Sequence, residues 1–294
     1  MWFGGFDGKP GSSGMECGDT GVAPDMTRAL TDLRTDWEAW HSAREEELAA
    51  PHGWLSLRSL QWLTPQPSPA DGLPGLWSAT PDGVVLTAVE ADDLVVRSVR
   101  EPRRVEGTVT LHPVDGKPGT LIEHGEAVIE VVRRTDTHAL RVRDPGAITR
   151  TAFTGVPAFP VDERWVVDAV YQPYVEPRRI TVGAVVDGLS HFPTAVGDVT
   201  FSIEGQEQRL VALAGPDGAL SLHFRDVTSG VSTYPGGRIL KAGAPGPDGE
   251  LTLDLNRVVN LPCAFTDFAT CPLPPAGNTL TVAVEAGERL PTRP

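Results

Sequence analysis

Asp198-Val199-Thr200-Phe201-Ser202-Ile203-Glu204, Arg209-Leu210-Val211-Ala212-Leu213-Ala214 and Ala219-Leu220-Ser221-Leu222-His223-Phe224-Arg225 follow one another within 28 residues of chain. Apolar and polar side chains alternate along the first and third, as in strands with one buried face, the second is a short apolar run, and Pro216-Asp217-Gly218 marks a turn before the third. The same period-two pattern recurs outward in both directions. It predicts strands over 84–89, 94–100, 105–111, 127–133, 139–143, 164–171, 179–186, 238–242, 250–255 and 280–285. Turn signals such as Pro81-Asp82-Gly83, Asp115-Gly116, Asp187-Gly188 and Pro247-Asp248-Gly249 punctuate the series. Many short strands without long helical patterns between them predict an all-β fold, mainly an antiparallel sandwich or barrel, and disfavour a parallel α/β sheet.

One helix precedes the strands. From Thr27 to Ala50 the apolar residues Leu30, Leu33, Trp37 and Trp40 recur at steps of three and four among Asp, Glu and Arg, so an N-terminal amphipathic helix packed on the β body is expected, ended by Pro51. His52 to Leu57 reads as a short strand, followed by a helical turn carrying Leu60, Trp62 and Leu63. The tryptophans around the helix suggest a lid on the main body. Pro65 to Gly75 reads as a loop. The organisation expected is therefore a disordered extension over 1–25, a helical segment over 26–64 and a β domain over 76–294 that ends in a block of motifs. Residues 1–25, rich in Gly, Ser and Asp, lack periodicity, and Met26 directly before the helix suggests the natural start.

The chain has 294 residues, ample for a buried core, and its 39 acidic against 25 basic residues give a formal charge of -14. Such a surface repels phosphate backbones and anionic lipid, so neither nucleic acid nor a membrane surface is an expected partner. No apolar run reaches the roughly 18 to 20 residues of a membrane helix, and the N-terminus lacks the pattern of a secretion signal, which places the protein in the cytoplasm. Oligomeric state is not legible.

The chemistry-bearing residues concentrate late in the chain. His223-Phe224-Arg225-Asp226, Tyr234, Arg238, Asn256, Asn260, Cys263 and Glu285-Ala286-Gly287-Glu288 set polar and thiol groups at irregular spacing among turn-formers, more than a plain β core requires. Leu140-Arg141-Val142-Arg143-Asp144 and Leu222-His223-Phe224-Arg225-Asp226 echo each other: alternation sends Arg141 and Arg143, or His223 and Arg225, to the face opposite the aliphatic residues. Those arginines line a shared pocket or pair with neighbouring acids. Gly230 and Gly236-Gly237 flank a Thr-Tyr-Pro turn that would offer backbone donors to an anion, or would simply supply positive φ. His124, between Glu123 and Glu126, reads as a solvated loop residue.

These segments resemble the bacterial family of domain of unknown function 1684. The resemblance rests on Gly53-Trp54-Leu55, Arg141-Val142-Arg143-Asp144, Phe224-Arg225-Asp226 with Thr228-Ser229-Gly230, Thr233-Tyr234 and Gly237-Arg238. Leu255-Asn256-Arg257, Pro262-Cys263-Ala264-Phe265, Cys271-Pro272-Leu273-Pro274-Pro275, Asn278 and Ala286-Gly287-Glu288 complete it. It spans nearly everything after Met26 and implies no established activity. The stretch from Leu255 to Pro262 lacks the aromatic pair that family members usually carry, and Thr279 stands where they commonly have arginine.

Cys263 and Cys271 allow three chemistries. A disulfide would contribute roughly 2 to 3 kcal/mol, although a reducing cytosol argues against it. A metal would need ligands that no HxH or HExxH spacing supplies, and a nucleophilic Cys263 would need His52 or His223 beside it. The plain alternative is two buried hydrophobes. No GxSxG elbow, P-loop or strand-linked GxGxxG occurs, and no cofactor or metal is expected.

Two functions remain. The first is a small-molecule pocket for an anionic ligand, lined by Arg143, Arg225, Tyr234, Arg238, Asn256 and Asn260, with the Trp54 segment as a wall. Asp226, His52 and Cys263 are its candidates if it is catalytic. The second is a non-catalytic structural or protein-interaction module whose motif residues anchor loops by satisfying buried backbone groups. Convergence on an open cavity favours the first, saturation by loop carbonyls and amides the second.

Overall fold

The computed structural model describes residues 24–97 and 101–294, and of residues 24–29 the backbone alone. The extension expected over 1–25 falls, up to residue 23, outside the described residues, as does the end of the strand expected over 94–100. Helix α1 runs Pro24–Leu48. Its partly buried stripe is the expected one: Leu30, Leu33, Trp37 and Trp40 face inward, and the stripe ends on the buried Leu48.

The first half of the chain forms two sheets. Strands β1 (Leu57–Trp62), β5 (Val95–Val96), β6 (Arg103–Arg104), β8 (Thr120–His124), β9 (Ala127–Arg134) and β10 (Thr137–Arg143) pair in the order β1-β10-β9-β8-β5-β6. Strands β2 (Ser68–Ala70), β3 (Leu73–Thr80), β4 (Gly83–Ala88) and β7 (Gly107–Leu111) make the second sheet in that order. Their inner faces share one core: Trp77, Val84 and Leu86 from the smaller sheet meet Ile122, Ile129, Val131, Leu140 and Val142 from the larger. That is an antiparallel sandwich, each large apolar side chain contributing about 1.5–3 kcal/mol on burial.

The second half is one larger sheet. It contains β11 (Val166–Arg179), β14 (Thr194–Ile203), β15 (Gln206–Ala214), β16 (Leu220–Phe224), β17 (Arg238–Ala242), β18 (Glu250–Asp254) and β19 (Val259–Asn260). The order is β18-β11-β14-β15-β16-β17-β19, and β12 (Val182–Gly183) with β13 (Ser190–His191) forms a small ribbon beside it. All the strand pairs are antiparallel. The all-β class with a packed N-terminal helix therefore holds. Local expectations differ at several points. His52–Leu57 is a single 3-10 turn at Trp54–Ser56, and the strand follows it, inside the stretch expected to be helical. The expected Pro65–Gly75 loop contains β2. His124 closes β8 and is partly buried, not a solvated loop residue.

The most consequential difference is the tail. Leu280, Val282, Val284 and Ala286 are buried in the core of the large sheet while Thr281, Ala283 and Glu285 face out, the pattern of a strand. Yet no strand forms over 280–285. Leu280 N–H bonds Arg225 O and Val282 O receives Val227 N–H, but further along the segment side chains take over the ladder's role.

Candidate functional site

Arg238 opens β17, directly after the tight turn at Gly237, whose φ of 92° is a backbone state that L side chains rarely adopt. Alternation along β17 sends its guanidinium into the protein, where its side chain is 0% exposed and that of Asp226 only 1%. Nη2 donates to Asp226 Oδ2 at 2.9 Å and to Val284 O at 2.9 Å, and Nη1 donates to Ala286 O and Glu288 O. Asp226 in turn accepts from the N–H and hydroxyl of Thr228 and, at 3.4 Å, from Val284 N–H. Burial draws the Arg238 pKa down and Asp226 pushes it back up; the guanidinium keeps its charge. Gly287, at φ 71°, is the bend that aims the carbonyls on either side of it at one fork; a Cβ there would lie 2.3 Å from Val258 O.

Asn260 and Asn256 hold the ground under α1. Asn260 Nδ2 donates to Arg289 O at 2.8 Å, its N–H donates to Glu288 Oε2 at 2.6 Å, and its carbonyl accepts from Arg44 Nη2 at 3.0 Å. Glu288, almost fully buried, also accepts from Arg44 Nε at 3.3 Å. Burial raises its pKa, and Arg44 with the Asn260 N–H recovers part of the shift. Asn256 exchanges two hydrogen bonds with the Asp162 backbone, at 3.0 and 3.1 Å, and its own carbonyl accepts Trp37 Nε1 at 2.7 Å. Asn278, outside the expected ligand set, saturates its amide on Val211 N, Val211 O and His223 O.

The remaining candidates lie apart from this network. Arg225 is half-buried, its Nε on Pro235 O at 2.9 Å. Tyr234 packs on the buried cluster that holds Cys263 and Cys271, and Cys263 N–H donates to Cys271 Sγ at 3.2 Å. Neither His52 nor His223 is hydrogen-bonded to Cys263: His52 Nε2 meets Glu126 O at 2.9 Å, and burial lowers His223 to about 4, with His191 adding to the shift. Cys263 and Cys271 are free thiols. Among the described residues no group of three or more His, Cys, Asp or Glu is placed to hold a metal ion.

Arg143 sits at the end of β10 and bonds to none of the groups around Arg238. Its Nη1 donates to His52 O and Gly53 O at 3.0 Å each, and Nη2 donates to Glu130 Oε2 at 2.9 Å. Arg141, 1% exposed, shares Glu130 at 3.3 Å. Both guanidinium groups lie over Trp54, 5.0 and 5.6 Å from its ring centroid. Burial pushes the Glu130 pKa up, but the two arginines outweigh it and leave the carboxyl below its ordinary value. His52, Trp54, Arg97, Glu130 and Arg143 line an open cleft of about 550 Å³.

The structure thus joins Asp226 to Arg238 and, through Glu288, to Asn260. It pairs Tyr234 with Cys263, and His52 with Arg143, and leaves Asn256 and Arg225 in separate bonds. Sequence reasoning missed Glu130, Arg44 and Trp37 as partners. Glu130 lies opposite Arg141 across the β9–β10 pair, but the pairing register becomes visible only once the strands are placed.

No curated protein matches the chain. A solved structure that is similar in sequence is the solution NMR structure of the uncharacterized protein from gene locus rrnAC0354 of Haloarcula marismortui. It is 33% identical over 48% of this chain and 78% of that one, with a TM-score of 0.41. A family profile described as Protein of unknown function (DUF1684) matches residues 151–289, a narrower span than the resemblance after Met26 suggested. That span carries the Arg238, Asn256, Asn260 and Cys263 motifs, and the chain belongs to this family.

Proposed function

We propose that the protein is a non-catalytic structural or protein-interaction β module, and that its C-terminal motif block is a clasp binding the irregular tail and α1 to the large sheet. The observation that carries this reading is the occupancy of Arg238. Two guanidinium nitrogens reach one carboxylate and three tail carbonyls inside a core closed to solvent. A ligand-binding arginine keeps donors free for its anion; here the terminal nitrogens are spent on the protein's own backbone. Asn256 and Asn278 follow the same logic. Asp226, with both carboxylate oxygens engaged, is poorly placed as a general base. Arg238→Lys tests the clasp by hydrogen exchange, since lysine keeps the charge but lacks the planar fork. The expected result is faster exchange at Leu280 and Glu288, whose N–H groups bond Arg225 O and Val258 O. Unchanged protection over 280–288 would count against it.

A second reading is favoured by one observation: His52, Trp54 and Arg143 converge on an open cleft. A small anionic molecule would stack on Trp54 and exchange places with Glu130 on Arg143. Thermal-shift titration with a panel of carboxylates and phosphates checks it, and a response that survives Arg143→Ala would place the binding elsewhere.

A further inference from the structure

The thiol pair is the chemistry the clasp leaves unused. Cys263 lies in the 3-10 turn Pro262–Ala264, and Cys271 follows a compact loop back to the same spot. Cys263 N–H donates to Cys271 Sγ at 3.2 Å, and both side chains share one small buried cluster against which Tyr234 packs. Both ends of the loop are fixed from outside. Val185 N–H bonds Cys271 O at 3.0 Å, and an antiparallel bridge joins Ala184 to Pro272. Arg293 donates to Cys263 O and, at 2.8 Å, to Ala264 O. The chain entropy of bringing the two sulfurs together has therefore already been spent in forming the fold.

We propose that Cys263 and Cys271 are a reversible thiol–disulfide pair, oxidised by hydrogen peroxide. The surroundings distinguish the two sulfurs. The Cys271 thiol and the Tyr234 hydroxyl packed beside it draw Cys263 below its ordinary pKa, while the Cys263 sulfur, together with burial, pushes Cys271 up. Two buried hydrophobes would need neither the Tyr234 hydroxyl nor the nearby Arg293 charge. Arg293, bonded to the Cys263 and Ala264 carbonyls, sets its positive charge on the Cys263 side of the pair, and Cys263 is thus the attacking sulfur. Its thiolate takes one peroxide oxygen, breaking the O–O bond and releasing hydroxide, and becomes a sulfenic acid. Cys271 sulfur then displaces the sulfenic hydroxyl, which leaves as water with the Cys271 proton. Two thiols and one peroxide give one disulfide and two waters. Both cysteines are buried, which favours a small uncharged oxidant over a protein disulfide.

The full reduced chain is exposed to hydrogen peroxide, quenched with iodoacetamide under denaturing conditions and digested with trypsin. No Lys or Arg lies between Arg257 and Arg289, so one peptide, Val258–Arg289, carries both cysteines. The expected peptide has lost two hydrogens and carries no alkyl group, and dithiothreitol restores both alkylation sites. In Cys271→Ser the sulfenic acid at Cys263 is expected to persist and react with dimedone. Tyr234→Phe, checked for its fold by circular dichroism, is expected to slow oxidation by about threefold to tenfold. Full alkylation of both cysteines in wild type after exposure would overturn the proposal, as would a disulfide linking either of them to Cys17. Dimedone labelling at Cys271 in Cys263→Ser as fast as at Cys263 in Cys271→Ser would overturn the assignment of the attacking sulfur.

Discussion

Replacing Arg238 with methionine separates a clasp from a ligand pocket by magnitude. Methionine matches the length of the arginine stem but leaves Asp226 charged and unpaired, with its side chain 1% exposed. Removing one partner of a buried ion pair costs about 3–5 kcal/mol. The carbonyls of Val284, Ala286 and Glu288 lose their donor in the same step, at roughly 1 kcal/mol each once partial rearrangement is allowed. The sum, about 6–8 kcal/mol, rivals the roughly 5–15 kcal/mol that holds an ordinary domain together. Guanidinium denaturation followed by tryptophan fluorescence and far-ultraviolet circular dichroism measures it. The double variant Arg238→Met with Asp226→Leu removes both charges and is expected to regain about 2–3 kcal/mol, because an apolar pair can replace a buried ion pair at little cost. Full recovery is not expected, since the three carbonyls stay unpaired and the Thr228 and Val284 donors lose their acceptor on Asp226. A single-variant loss below about 1.5 kcal/mol, or a double variant no more stable than the single one, would refute the reasoning.

Three further outcomes follow from the same structure. His223 is lowered from 6.5 to about 4 in the folded protein, so its contribution is complete above pH 6.5 and is lost as pH falls from 6.5 towards 4. With about 1.4 kcal/mol per pKa unit the full effect is about 3 kcal/mol, and His223→Gln should show a correspondingly shallower acid loss of stability than wild type; superimposable profiles would contradict it. Gly53→Ala should cost about 1–3 kcal/mol in thermal or chemical unfolding, because its Cβ would stand 2.6 Å from the carbonyl oxygens of Glu47 and Leu48. Trp37→Phe removes the bond to Asn256 O and should destabilise by about 1 kcal/mol. Hydrogen exchange should then rise first along α1, and a rise confined to the sandwich would contradict the placement of that contact.

Much of the β architecture is legible because local alternation and burial agree. β17 has the bounds its pattern predicts, and β9, β10 and β16 differ by no more than two residues at either end. β11 shows where local rules stop. Pro173 and Pro177 would end a strand, but the pairing with β14 shifts register between Pro173 and Arg178, and the chain runs on to Arg179. β2 hides in a Pro-rich stretch because only its pairing with β3 makes it a strand. The candidate site is legible in composition but not in geometry. Arg143, Arg225 and Arg238 look equivalent along the chain, yet one is shared between Glu130 and loop carbonyls, one meets a turn carbonyl and one is enclosed. Which partner each arginine meets depends on residues distant in sequence, and no spacing encodes it.

The tail explains why so many polar residues gather in the last third of the chain. Residues 265–294 form no named helix or strand, yet Leu280, Val282, Val284 and Ala286 enter the core of the large sheet. Each apolar side chain brings its own peptide group inside, and a buried peptide group without a partner costs about 1–3 kcal/mol. A regular strand would meet that cost with a ladder. Here side chains serve instead: Asn278 of the tail and Gln208 of β15 join the start of the tail to that strand, while Asp226 and Arg238 take the Val284 amide and the carbonyls of Val284, Ala286 and Glu288. An arginine reaches three carbonyls from one Cα, which no backbone neighbour does, and this permits the sharp bend at Gly287 that returns Glu288 to Arg44 on α1. The motif residues are therefore what an irregular, buried segment requires of its neighbours. Arg238→Lys is accordingly expected to loosen the tail and α1 together, because Glu288 is held from both sides.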